Sequence, residues 1–328
     1  MTTPENQSDQ TISQDISLQD RAKPFRAENL IFVGGSPRSG TTLVQRMLGA
    51  HPDIYGGPEF DLMPAISDLF QQHLDLIENG RISRIIDPQQ AAEAFRDLLH
   101  SLFKHKASEQ GVSYISEKSP ANCLIFNQLE AIVPGSKKIM VLRDPRDILA
   151  SMLAVAQRYR EAGDPVPKTI RTAASCAHTI GDHQQQGIQS SEQLDNVLVL
   201  HYEDILGDPA QACQTLCDFL GIEYSNAMIN LEGKAIEGAV GDDQKWYSAA
   251  ALSSGINTEK KQASVNVYHD YLLRKYTPVN HPLMQRYQLP APAFKPVHIF
   301  YAVKEFLTFK KHDRRRVQHR LRGRKNAS

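Results

Sequence analysis

Residues Leu30-Ile-Phe-Val-Gly-Gly-Ser-Pro-Arg-Ser-Gly-Thr-Thr42 read as an apolar strand running into a glycine turn and then a helix. Gly35 and Gly40 have the G-x-x-x-x-G spacing of a phosphate-cradling loop. In such a loop, successive backbone N–H groups and the following helix N-terminus make an anion site. A nucleoside triphosphatase would place Lys after the second glycine, whereas here Thr41 and Thr42 follow and Arg38 is the cation inside the loop. The pattern predicts a phosphate-bearing ligand other than a nucleoside triphosphate held with magnesium for γ-phosphoryl transfer.

The elements that position this loop follow from periodicity. Short apolar runs at Leu30–Val33, Tyr114–Ser116, Lys138–Leu142 and Val197–His201 alternate with helical patterns. The first helix, 41–50, stops at His51-Pro52; a second starts near Pro120 and closes at Pro134-Gly135; a third follows Arg143-Asp-Pro-Arg-Asp147; a fourth, 209–220, ends at Gly221. Alternating strands and helices predict an α/β, three-layer P-loop-like fold with a central parallel sheet flanked by helices, because parallel neighbours need crossover connections. Ligands of open α/β sheets bind beyond the carboxyl ends of the strands. Arg38, Lys118, Arg143 and Tyr202 each follow one of the four runs, so they should converge. Two plainer readings stand beside this: Lys118 paired with Glu117 at the surface, and Arg143-Asp-Pro-Arg-Asp147 as an ordinary helix start with acids balancing the dipole.

The chain has 328 residues, 41% hydrophobic and 23% charged, which excludes fibrous and wholly disordered classes. Formal charge is zero, yet residues 310–325 hold nine Lys/Arg and one Asp, so a basic tail follows an acidic body. No apolar run reaches the ~20 residues needed to span a bilayer, and Met1–Asp20 lacks a secretory apolar core, so a cytoplasmic protein is expected. Cys123, Cys176, Cys213 and Cys217 include no C-x-x-C pair and read as small core residues. Residues 1–27 are too polar to order. A domain over 28–290 is expected, with helical insertions near 61–110 and 165–195 serving as a lid or acceptor-side cap. A C-terminal helix near Val297–Phe309 and the basic tail complete 291–328.

Four motifs carry a family likeness: Gly34-Gly-Ser-Pro-Arg-Ser-Gly-Thr-Thr-Leu43 with Ala50-His-Pro-Asp53; Glu117-Lys-Ser-Pro120; Val141-Leu-Arg-Asp-Pro-Arg-Asp147 with Ser151; and His201-Tyr-Glu-Asp204. Over about 29–222 the chain resembles sulfotransferases that use 3′-phosphoadenosine-5′-phosphosulfate (PAPS), especially the tyrosylprotein sulfotransferase branch and its bacterial relatives. The resemblance implies that Pro37, Arg38, Ser39, Gly40, Thr41 and Thr42 hold the 5′-phosphosulfate, that Arg143 and Ser151 hold the 3′-phosphate, and that Tyr202 lies near adenine. A second phosphate ester also suits an Arg fork with a Ser two helical turns later.

The same resemblance gives Arg38 and Lys118 the developing charge on the leaving phosphate and makes Glu59 the general base, with adenosine 3′,5′-bisphosphate (PAP) as product and no metal. Glu59 sits in Gly56-Gly-Pro-Glu-Phe60, where Pro58 replaces an acid of the family pattern and Asp61 an arginine. Its plainer reading is a lid-anchoring salt bridge; as a base it needs burial to raise its pKa. Lys260 or Lys261 is the candidate late cation for the 3′-phosphate. The acceptor is a hydroxyl of a peptide tyrosine, a carbohydrate, a lipid or a small phenol. Competing readings are a nucleotide kinase or triphosphatase with a degenerate loop, and an inactive anion-binding protein of the same fold. The tail lacks interleaved aromatics, so specific nucleic-acid binding is not expected; steering of an anionic acceptor or PAPS, contact with an anionic surface and nonspecific nucleic-acid contact stand beside the plainer reading of a solvated end.

Overall fold

The structure is a computed structural model that describes residues 24–233, 246, 255–256, 265–289, 296–305 and 307. Five strands form one parallel sheet: β1 (Leu30–Gly35), β2 (Ile54–Gly56), β3 (Tyr114–Lys118), β4 (Lys137–Leu142) and β5 (Val197–His201), in the order β2-β3-β1-β4-β5. The four expected strands are present. The fifth, β2, is an edge strand of three residues registered Gly56 to Ser116 on β3.

Every residue of β1 is buried, as a parallel strand covered on both faces requires. Successive side chains feed opposite layers. Leu30, Phe32, Met140 and Leu142 meet one set of helices: α2 (Met63–Glu78), α3 (Pro88–Gln110) and α4 (Phe126–Ile132). Ile31, Val33, Ile139 and Val141 meet α1 (Thr41–Gly49) and, beyond α5 (Pro145–Glu161), α6 (Ala173–Gln193) and α7 (Tyr202–Gly207), helix α8 (Pro209–Leu220). Truncating fully buried Phe32 to Ala would cost about 3–5 kcal/mol.

A third apolar cluster joins α5 and α6 to α9 (Val267–Tyr276). The expected insertions are helical, but their apolar stripes build the body: Met63, Phe70, Phe95 and Leu99 share the cluster with Phe32, and α6 touches β1, β4 and β5. All four cysteines are free and buried, and burial pushes the Cys176 and Cys213 thiols up to about 12. Residues 296–305 are helical. Residues 1–23, Lys260, Lys261 and the basic tail fall outside the described residues. Among the described residues, no helix is long and apolar enough to cross a membrane.

Candidate active site

Lys118 is the last residue of β3, and Glu59, Arg38, Arg143 and Tyr202 lie beyond the carboxyl ends of β2, β1, β4 and β5 respectively, so parallel packing gathers all five at one end of the sheet. The register fixes their heights: Val33 pairs with Lys118, Gly35 with Val141, and Leu142 with His201.

The loop between β1 and α1 has left-handed backbone at Arg38 (φ 75°) and at Gly40 (φ 107°). A non-glycine residue at positive φ is uncommon, and here it lies in the turn that returns the Ser39 N–H to the Ser36 carbonyl at 2.9 Å. Helices α3, α5, α6 and α8 cap their first turn with a side chain; α1, like α2, α4 and α7, has no side-chain cap, and it opens on Gly40. Its leading N–H groups are therefore left for an anion. A Cβ on Gly40 would strike the ring of Tyr202, so the glycine also permits that packing.

Three sequence-predicted residues form one network behind the loop. Arg38 Nε donates to Ser151 Oγ at 3.1 Å and its Nη1 donates to the Trp246 carbonyl at 2.7 Å. Arg143 Nη1 donates to the Arg38 carbonyl at 3.2 Å, its Nη2 lies 3.6 Å from Asp147 Oδ2, and its guanidinium sits 4.4 Å above the Tyr202 ring. Among the described residues, Ser39 Oγ and Arg143 Nε are buried with no hydrogen-bond partner, two groups that an anion's oxygens would satisfy. Burial pushes the Asp147 carboxyl up despite the nearby Arg143.

On the other side, Lys118 is ion-paired with Glu59, with side chains 3% and 21% exposed. Glu117 is not the partner of Lys118. Its buried carboxyl accepts from Ser119 Oγ at 2.7 Å, Asn122 Nδ2 at 2.5 Å and the Phe60 N–H at 3.4 Å, and burial pushes its pKa up. The polypeptide carrying Glu59 is thus tied to the strand carrying Lys118. The plainer reading of Glu59 was a salt bridge, and the structure gives it one, with Lys118 as the cation.

Several residues that build the site were not singled out by sequence. Gln45, on the buried face of α1, donates to the carbonyls of Gly57 (2.9 Å) and Ser116 (2.8 Å). Its signal was a polar residue inside the apolar stripe Val44, Met47 and Leu48. A Cβ on Gly49 would come within 3.0 Å of Gly56 Cα, so glycine lets α1 lie against β2. Glu203 accepts the Asp144 N–H (2.9 Å) and the Tyr287 hydroxyl (3.0 Å), and that hydroxyl lies 2.8 Å from His201 Nδ1. This braces the turn bearing Arg143 through contacts far apart in sequence.

Residues 30–226 match the family model described as Sulfotransferase family. The chain belongs to the sulfotransferase family. It is 32% identical over 216 residues to Protein-tyrosine sulfotransferase 1 of Danio rerio, covering 63% of this chain and 58% of that one. It is 24% identical over 297 residues to a Caenorhabditis briggsae sequence assigned to the same class, covering 86% of this chain and 97% of that protein. The sulfotransferase domain of the Synechococcus PCC 7002 olefin synthase aligns with a TM-score of 0.46 at 21% identity, over 78% of this chain and 96% of that domain. The sulfotransferase described here thus spans about half of the zebrafish relative and nearly all of the nematode one.

Proposed function

We propose that this sulfotransferase moves a sulfuryl group from PAPS to a hydroxyl acceptor by in-line displacement, with the hydroxyl of a peptide tyrosine as the first acceptor class to test. The observation that carries the reading is the convergence, at five adjoining strand ends, of a lysine-free anion loop, the Arg38–Ser151–Arg143 network and the Lys118–Glu59 pair. The names of the curated relatives support the acceptor class.

PAPS supplies an activated sulfuryl group on a phosphate leaving group. Ser39, Gly40, Thr41 and Thr42 suit its 5′ end, through main-chain N–H groups at the start of α1 and the partnerless Ser39 hydroxyl. Arg143 suits a second phosphate: its fork has an open buried Nε, and its plane is fixed over Tyr202. Ser151 suits the same second phosphate as Arg143, and its hydrogen bond to Arg38 links that side to the loop that would hold the 5′ end.

Glu59 takes the proton of the attacking hydroxyl. On protonation it loses the charge that holds Lys118, and the ammonium is released toward the phosphate oxygen where negative charge develops as the sulfur–oxygen bond breaks. Positioning and charge stabilisation supply the catalysis.

Thermal stabilisation of the full chain by adenosine 3′,5′-bisphosphate tests the donor assignment. It is expected in EDTA and not with ATP; a response only to ATP with magnesium would install the kinase or triphosphatase reading. Incubating acceptor pools with labelled donor and detecting an added sulfate by mass tests the transfer. Bisphosphate binding without transfer to any acceptor would leave an inactive anion-binding protein.

A further inference from the structure

Residues 296–305 form a helix whose burial is inverted. His298 is 1% exposed, its ring stacked on Tyr271 at 5.1 Å, and the Glu305 carboxylate accepts the N–H of Ala173, the first residue of α6. These two residues are seven apart and share one face. On the opposite side stand Ile299, Phe300, Val303 and Leu307, exposed by 55%, 62%, 49% and 59%. A surface helix ordinarily turns its apolar stripe to the core and its polar side chains to water. Here polar groups moor the helix, leaving a continuous stripe at i, i+4 and i+8, widened by Phe300, in contact with solvent.

The sequence that follows decides what such a stripe fits. Residues 310–325 carry nine Lys/Arg against one Asp, beginning with Lys310 and Lys311, three and four residues after Leu307. Aliphatic and Phe side chains beside a dense basic run are the composition of a helix lying in the interface of an anionic bilayer, where apolar burial and charge attraction act together. A second copy of this chain would bring the same positive charge against itself, and a nucleic acid would leave the apolar stripe wet. We infer that this helix and the basic run after it dock the enzyme on an anionic membrane surface, with Ile299, Phe300, Val303 and Leu307 entering the lipid headgroup region. His298 and Glu305 hold the catalytic body behind that contact.

Flotation of the full-length protein with vesicles tests this, comparing pure phosphatidylcholine with mixtures containing phosphatidylglycerol. Preferential recovery with anionic vesicles is expected. The triple variant Ile299→Ser, Phe300→Ser, Val303→Ser should lower the vesicle-bound fraction by at least about tenfold at equal lipid, since it removes most of the inserting surface. Its melting temperature and bisphosphate affinity should stay at parental values, because these side chains are already exposed. Neutralising Arg314, Arg315 and Arg316 to Gln should abolish the preference for anionic over neutral lipid. The inference fails if the parent does not float with anionic vesicles, or if the triple variant floats as well as the parent. It fails equally if the triple substitution turns a parental dimer into a monomer without changing flotation, or if the basic run binds RNA and the parent ignores vesicles.

Discussion

Gln45 and Ser116 grip each other twice: Ser116 Oγ donates to Gln45 Oε1 at 2.6 Å, and Gln45 Nε2 donates to the Ser116 carbonyl at 2.8 Å while also holding Gly57. One side chain of α1 therefore sets the spacing between the strand that ends in Lys118 and the turn that carries Glu59. Gln45→Leu keeps the volume and deletes the donors, leaving buried carbonyls unsatisfied at about 1–3 kcal/mol each. Urea unfolding should register a loss of about 2–5 kcal/mol. In the surviving folded enzyme kcat should fall more than affinity for the bisphosphate; equal losses in both would place Gln45 in the scaffold alone.

Glu59→Gln removes the proposed proton acceptor and the anion facing Lys118. Turnover should drop about 10²- to 10⁴-fold, the range of a positioned general base. Bisphosphate affinity, read by calorimetry, should hold or tighten, because Lys118 no longer has a competing carboxylate. Unchanged turnover would assign proton removal to another group.

Arg143→Lys preserves charge but loses the planar fork and the stack on Tyr202. Bisphosphate binding should weaken by about 10- to 100-fold, the equivalent of one charge-assisted contact. Adenosine 5′-phosphate, which lacks the 3′ group, should bind parent and variant alike. A matching loss for both nucleotides would mean that Arg143 shapes the loop rather than reading the second phosphate.

His183 is buried on α6 with Nδ1 2.7 Å from the Thr179 carbonyl, and burial holds its pKa below the ordinary 6.5. Below pH 6.5 the unfolded chain takes up a proton that the folded chain resists, so the unfolded state is favoured as acid is added. Burial shifts His201 and His269 in the same direction. Stability should be full above pH 7 and decline from about 6.5 toward 5, and His183→Gln should flatten part of that decline in melts across pH. A parental melting temperature independent of pH over this window would contradict the assignment.

The legible parts of this molecule were those written in short windows. Strands β1, β3, β4 and β5 are apolar runs bounded by turn residues, and the glycine spacing of 35 and 40 announces the loop without tertiary information. Ile54-Tyr55-Gly56 was not legible as a strand, because three residues carry no periodicity and its pairing to β3 is non-local. Helices α2 and α3 were expected as a cap, but their apolar residues Met63, Phe70, Phe95 and Leu99 fall on stripes that are core. Among site residues, those following strands could be gathered by topology. The partnership of Lys118 with Glu59, and the brace from Glu203 and Tyr287, join segments 59 and 84 residues apart, and only folding reveals them.

The strand order has a consequence for how such an enzyme changes its clientele. The glycine turn after β1 hangs from the middle of the sheet, clamped by neighbours on both flanks, whereas Glu59 hangs from an edge strand that is also the shortest. Insertions or rewiring beyond that rim would disturb one ladder and leave the central machinery standing. New recipients of the transferred group can therefore be explored at the margin while the reagent that feeds the reaction stays the same.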